Sequence, residues 1–214
     1  MAELQIIGGP RSNFVWVTRI VCAEKGVPYT LQPFMPHSPE VDAIHPFGKI
    51  PVMRHGDVTL AESRAICSYI DRVFDGPSLV PSDPVAAGAV EQWVSIICTH
   101  IDPLWLRQYL AAYVFPGTAD GSPDRTRIDA AIPKMATQFP VMDRAVAKTG
   151  HLVGPSFTLA DAYFTPILHY MSMRPESSAL LQASAHLPAY LDRQLARKSV
   201  HDSVPQGNPG TPVR

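Results

Sequence analysis

The sequence predicts a small α/β domain followed by an all-α domain. Three observations carry that expectation. Short apolar strands alternate with helical patterns as β-α-β-(α)-β-β-α over the first third of the chain. The stretch DGPSLVPSDP, Asp75–Pro84, then concentrates prolines and a glycine and reads as a linker. Beyond it the apolar residues recur at helical spacing and no strand pattern returns. The expected boundaries are an N-terminal domain at 1–76, a linker at 77–84, a helical domain at 85–199 and a flexible tail at 200–214, rich in Pro, Gly and Ser.

Each element has its own signal. Leu4–Ile7 is a short apolar strand broken by Gly8-Gly9-Pro10. From Ser12, Phe14, Val17 and Val21 recur at helical spacing until Gly26, just before Pro28. Tyr29–Pro33 alternates as a second strand, and Ser38–Ala43 reads as a short helix or irregular loop. Val52–Arg54 and Val58–Ala61 are strands joined by a His55-Gly56-Asp57 turn. The helix opening at Glu62 lines up Ala65, Ile66, Tyr69, Ile70, Val73 and Phe74 on one face. In the second half, Val85–Val114 reads as a long helix bent at Pro103, and Pro123–Lys148 as one interrupted at Pro133 and Pro140. Thr158 followed by Asp161 matches a capping pair that opens a third helix. His186–Lys198 closes the folded part.

Bulk properties narrow the function classes. The chain has 214 residues, 46% hydrophobic and 17% charged, which suits a folded chain with a real core. A formal net charge of −1 with scattered Lys and Arg argues against a nucleic-acid partner. No apolar run is long enough to span a membrane, and the N-terminus lacks a signal-peptide pattern, so a cytoplasmic protein is expected. The three cysteines, Cys22, Cys67 and Cys98, fall within apolar helical patterns and read as buried, reduced thiols. The histidines form no metal-ligand pair on a helix face, so no metal is expected.

The most informative stretch is PFGKIPVMRHGDVTLAESRAICSYI, Pro46–Ile70. Two short strands, entered through a proline and left through a polar helix start, make poor scaffolding but a good edge for an extended peptide. The helix start adds N–H groups that suit a carboxylate. With PFGKIPV, GDVTLAESRAI, EKGVPYT and FTLADAY in place, the chain resembles the cytosolic glutathione transferases over residues 3–198. The resemblance implies a thioredoxin-like first domain and a helical second one. Its N-terminal half is closest to the phi-like, serine-type pattern.

That resemblance implies roles for particular residues. Glutathione reacts as its thiolate, and a free thiol of pKa about 8.5 is only a few per cent ionised at neutral pH. Ser12 is the expected catalytic residue, its hydroxyl donating to the sulfur without itself losing a proton. Read from the residues alone, Ser12 is an N-cap first, since serine favours that position; the resemblance turns the balance toward the catalytic role, and the two roles can coexist. Asn13 and Arg11 are neighbouring alternatives for stabilising the thiolate. Pro51 is expected to be cis, turning the Ile50 backbone toward the cysteinyl part of the peptide. Glu62 is expected to pair with the γ-glutamyl ammonium and Ser63 to hold its carboxylate. Lys49 and His37 are candidates for the glycyl carboxylate. Phe14, Tyr109 and Tyr113, with Trp105, Phe115 and Phe34, are candidate walls for an apolar electrophile pocket, although aromatics at helical spacing are more often core.

The expected function is glutathione transfer to an electrophilic, largely apolar substrate, with glutathione as co-substrate and a homodimer as the assembly. Two other readings stand beside it. One is glutathione-dependent peroxide or disulfide reduction without a protein cysteine, since no Cys-x-x-Cys occurs. The other is a non-catalytic glutathione- or ligand-binding protein on the same fold.

Overall fold

Four strands share one sheet in the order β2-β1-β3-β4, where β1 is Leu4–Ile7, β2 Tyr29–Gln32, β3 Val52–His55 and β4 Val58–Ala61. The structure, a computed structural model, describes residues 2–206. β1 and β2 run parallel, joined by the crossover helix α1 (Asn13–Glu24), while β3 is antiparallel to both β1 and β4. The mixed sheet follows from connection length: β1 and β2 are separated by a helix, β3 and β4 by a tight turn at Gly56-Asp57. The register sets Ile7 opposite both Gln32 and Val52, and Val52 opposite Ala61. One end of the sheet therefore gathers the exit of β1, the entry to β3 and the exit of β4.

Side chains alternate across this sheet. Ile7 and Val52 pack with Val41 of the short helix α2 (Pro39–Asp42), joined by Phe34, Ile44, Ile50 and Ala61. Alternation sends Leu4, Ile6 and Met53, all buried, to the opposite face. There α1 packs against β1 and against α3 (Ser63–Val73), which also lies on β3 and β4.

The chain divides into two units. The first runs to Val80 and includes Ala196–Gln206; the second is Pro81–Leu195. The helical unit begins with α4 (Pro84–Ile96), capped by Asp83 accepting from the Ala86 N–H at 2.8 Å. It continues into a π-helical stretch, Ile97–Leu110, and one turn of α5 (Ala111–Val114). Pro103, at the site of the expected bend, sits inside the π-helical stretch; a proline supplies no N–H to the usual ladder, and wider winding re-pairs the neighbours.

The expected breaks at Pro133 and Pro140 do not occur. Helix α6 is continuous from Arg125 to Ala147. Its buried stripe, Ile128, Ala131, Met135, Phe139, Met142 and Val146, steps by three and four residues, while both prolines lie on the exposed face, where the rings displace no packing. Helix α7 (Leu159–Ser172) is buried on nearly every side and is capped as expected by Thr158 and Asp161. Helix α8 (Pro175–Gln182) had no sequence signal assigned to it, and α9 (Leu187–Ala196) completes the unit.

The linker and tail differ most from expectation. Lys25 Nζ donates to the Gly76 and Pro77 carbonyls at 3.3 and 3.2 Å, and the Leu79 N–H donates to Asp71 at 2.9 Å. The first half of the linker is thus fastened to the α/β unit. Residues 200–206 are not a loose tail. Helix α10 (Lys198–His201) packs on α1, with Val200 and Ser203 buried and Trp16 Nε1 donating to Ser203 Oγ at 3.0 Å. A small-residue composition reads as disorder only when it has no apolar or hydrogen-bonding anchor, and this segment has both. The rest of the expected tail, 207–214, lies outside the described residues.

Candidate functional site

The sheet end described above collects most of the expected peptide site. Gly8 follows β1 at φ +154°, and a Cβ there would lie 2.6 Å from Val15 and 3.0 Å from Ile50. Only glycine lets the β1 turn approach the Ile50-Pro51 loop this closely. The turn Gly8-Gly9-Pro10 then delivers Ser12 to the start of α1.

Ser12 occupies the N-cap position, with φ −66° and ψ 130°, yet its side chain makes no capping bond. The turn is held by the backbone instead: the Ser12 N–H donates to Gly9 O and its carbonyl accepts from the Trp16 N–H, each at 2.9 Å. The hydroxyl is half-buried and uncommitted to the helix. Its two neighbours differ. Arg11 Nε donates to the Gln206 carbonyl at 3.0 Å, which ties it to the C-terminal segment. Asn13 is 5% exposed, and neither end of its carboxamide has a hydrogen-bond partner in the structure.

The Ile50-Pro51 bond is cis. Pro51 is buried, Ile50 half-buried, and Ile50 makes none of the loop's backbone hydrogen bonds. A main-chain N–H and C=O left outside the loop's bonding are groups of the kind that pair with extended chains.

Glu62 and Ser63 stand where β4 meets α3. Ser63 is the first residue of the helix and is 8% exposed. Glu62 is the N-cap, with no capping bond from its carboxylate and with φ +68° and ψ 117°, a conformation a non-glycine residue rarely adopts. His45 Nε2 lies 3.4 Å from Glu62 Oε1. Sequence reasoning did not pick out this histidine. A lone loop histidine belongs to no periodic pattern, and its only signal is its place directly before PFGKIPV.

His37 and Lys49 meet on one loop. The His37 N–H donates to Gly48 O at 2.9 Å, and Gly48, at φ +61°, leaves the space that the His37 ring and Asp42 carboxylate occupy. His37 Nδ1 is 3.8 Å from Asp42 Oδ1, so a negative charge already sits beside it. Lys49 is exposed and makes no ion pair among the described residues.

The expected electrophile walls belong to both units. Phe14 is half-buried on α1. Trp105 is buried and stacks on Phe139 at 4.2 Å, and Phe34 belongs to the cluster around Val41. Tyr109 has no exposed surface; its hydroxyl donates to Glu176 at 2.9 Å and accepts the Ser177 N–H at 3.1 Å. Tyr113 is half-buried, and its hydroxyl donates to the same Glu176 oxygen at 2.5 Å. Four residues apart on one helix, both tyrosines turn toward α8, so Tyr109 is core and Tyr113 shares its anchor.

Arg125 adds a third donor to Glu176 at 2.5 Å. Burial opposes ionisation of Glu176, but Tyr113, Arg125 and Tyr109 outweigh it and hold the carboxyl down at about 2. A carboxyl depressed on folding contributes stability above its unfolded value of 4.5, and that contribution is lost as pH falls from there through about 2. Glu176→Gln is expected to cost about 1 kcal/mol at pH 7, after discounting for solvent screening. The difference from the parent, read by urea midpoint, should shrink progressively below pH 4.5.

Among the described residues no group of three His, Cys, Asp or Glu side chains is placed to hold a metal. No described helix is long and apolar enough to cross a membrane. Cys22 and Cys67 are buried, and burial, with Cys67 nearby, pushes the Cys22 thiol far up.

Comparison with known proteins agrees with this fold. A family model for the glutathione S-transferase N-terminal domain matches residues 7–78, and one for the C-terminal domain matches residues 103–198. Glutathione S-transferase 3 of Zea mays is 30% identical over 211 residues, covering 95% of this chain and 94% of the maize protein. Glutathione S-transferase F10 of Arabidopsis thaliana is 31% identical over 185 residues, 83% of this chain and 86% of that one. A solved structure of glutathione S-transferase-I bound with lactoylglutathione superposes with TM-score 0.84 at 25% identity, covering 94% of this chain and 98% of that one. These plant relatives bear out the phi-like likeness of the motifs. With both domain models matched in order and a 30% identical relative spanning nearly the whole chain, this protein belongs to the glutathione S-transferase family.

Proposed function

We propose that this protein holds glutathione at the shared sheet end and promotes ionisation of its thiol through Ser12, for attack on an electrophilic, largely apolar substrate. The observation that carries the reading is the uncommitted Ser12 hydroxyl at the start of α1. A hydroxyl not engaged in capping is available to donate to a thiolate, and the helix N-terminus behind it favours the same negative charge. Ile50 offers main-chain pairing to the cysteinyl residue, Glu62 takes the γ-glutamyl ammonium, and Ser63 with the α3 N-terminus takes the neighbouring carboxylate. Lys49 faces the glycyl carboxylate, because Asp42 leaves His37 the weaker candidate. Phe14 contributes an apolar wall on the electrophile side in this reading. Assembly as a homodimer through α3 and α4 belongs to the same reading.

Ser12→Ala tests it. A hydrogen bond to a charged group is worth about 1.5–3 kcal/mol, so turnover of a generic aryl halide should fall about 10- to 100-fold with glutathione affinity largely kept. The ultraviolet absorbance of the bound thiolate should titrate at higher pH in the variant. Unchanged turnover would sink the assignment of Ser12. Peroxide and disulfide substrates assayed in parallel separate conjugation from reduction; the buried cysteines of the α/β unit argue that either reaction runs through glutathione sulfur.

A further inference from the structure

His45 is 3% exposed in the loop between α2 and β3, and its two ring nitrogens face different partners. The Phe47 N–H donates to Nδ1 at 3.0 Å. A nitrogen that accepts a hydrogen bond carries no proton, so in the neutral ring the hydrogen is on Nε2. Nε2 is the atom 3.4 Å from Glu62 Oε1. The loop backbone thus selects the tautomer that presents an N–H dipole to the carboxylate.

Glu62 has little else to hold it. Its side chain is 71% exposed and makes no capping bond. Its backbone sits in a strained region that persists only where the surroundings enforce it. An exposed glutamate must lose several rotors to grip a ligand, and ordering it beforehand lowers that cost.

We infer that His45 is the positioning residue for Glu62: its ring, locked by the Phe47 N–H, steadies one carboxylate oxygen and leaves the other for the α-ammonium of glutathione. This rests on the reading of Glu62 as the ammonium partner. His45 is remote from the sulfur chemistry in role, so it acts on peptide capture and not on turnover.

His45→Asn separates the two ends of the ring. An asparagine oxygen accepts the N–H two residues on, as an Asx turn, which preserves the bond to Phe47, but the shorter side chain does not reach Glu62. The KM for glutathione should rise about 3- to 10-fold with kcat within about twofold of the parent. His45→Gln, which keeps reach and an N–H donor, should recover part of that loss and serves as the check should the asparagine variant fold poorly. Beside Glu62→Ala, His45→Asn should add nothing further. Glutathione acetylated on its α-amine should bind parent and His45→Asn alike. An unchanged KM in His45→Asn, or a penalty that persists in full beside Glu62→Ala, overturns the inference. If Glu62→Ala alone leaves KM unchanged, it is the reading of Glu62 that fails.

Discussion

Asp161→Ala is expected to destabilise the protein by about 4 kcal/mol, the largest loss among single substitutions considered. The carboxylate is fully buried and each oxygen serves two donors. Oδ1 accepts the Leu152 N–H and the Tyr190 hydroxyl, both at 3.0 Å. Oδ2 accepts the Thr158 N–H at 3.0 Å and its hydroxyl at 3.1 Å. Alanine strands two backbone N–H groups that have no route to water, and it removes the cap of α7, around which the helical unit packs. Asp161→Asn keeps the shape but places an NH2 group where two donors already point, so it should recover only part of the loss. Tyr190→Phe removes one partner of four and should cost about 1 kcal/mol. Urea denaturation read by far-ultraviolet dichroism orders the three variants. An alanine variant as stable as the parent would show that Thr158 and Leu152 find other partners.

Lys25→Ala should cost about 3 kcal/mol, through the α/β unit instead. The ammonium has 3% side-chain exposure and lies 3.4 Å from Asp71 Oδ1, itself 7% exposed. It also donates to the Asp71 carbonyl at 3.0 Å, besides the Gly76 and Pro77 carbonyls. Removing it leaves a buried carboxylate, the Asp71 carbonyl in the last turn of α3 and the Gly76 and Pro77 carbonyls beyond it without their donor. Lys25→Met retains the packing of the stem while leaving Asp71 charged, so it should be nearly as damaging. Adding Asp71→Asn should restore part of the stability, because the buried charge goes with its partner. Protease sensitivity at 77–84 should rise in both single variants, reporting that the linker has come away.

Much of this structure was legible in the residues. Strand positions and the β3-β4 turn came from alternation and from Gly56-Asp57, and the α7 cap from Thr158 and Asp161. The site end of the sheet was legible for the same reason: PFGKIPV and AES put a proline, a strand pair and a helix start within one short segment. What was not legible depends on tertiary neighbours. Pro133 and Pro140 looked like helix breaks because sequence does not say which face of α6 meets water. Tyr109 looked like a pocket wall because an aromatic at helical spacing reads the same in a core. His45 carried no pattern; only the fold puts Glu62, at the start of α3, 3.4 Å from its ring. The C-terminal residues looked like a tail because their anchors, Trp16 and Glu24, lie far back in the chain.

That last contact has a consequence for biosynthesis. Arg197 grips Glu24 through Nε at 2.5 Å and NH2 at 2.7 Å, Ser199 donates to the same carboxylate, and Ser203 receives Trp16. The α/β unit is built from residues up to Val80 and from Ala196–Gln206, which are made only after the helical unit between them. During synthesis α1 must wait, with Trp16 and Glu24 unsatisfied, while the whole helical unit is made. A stop codon or frameshift anywhere before residue 196 therefore damages the α/β unit, however far from its strands in sequence it falls.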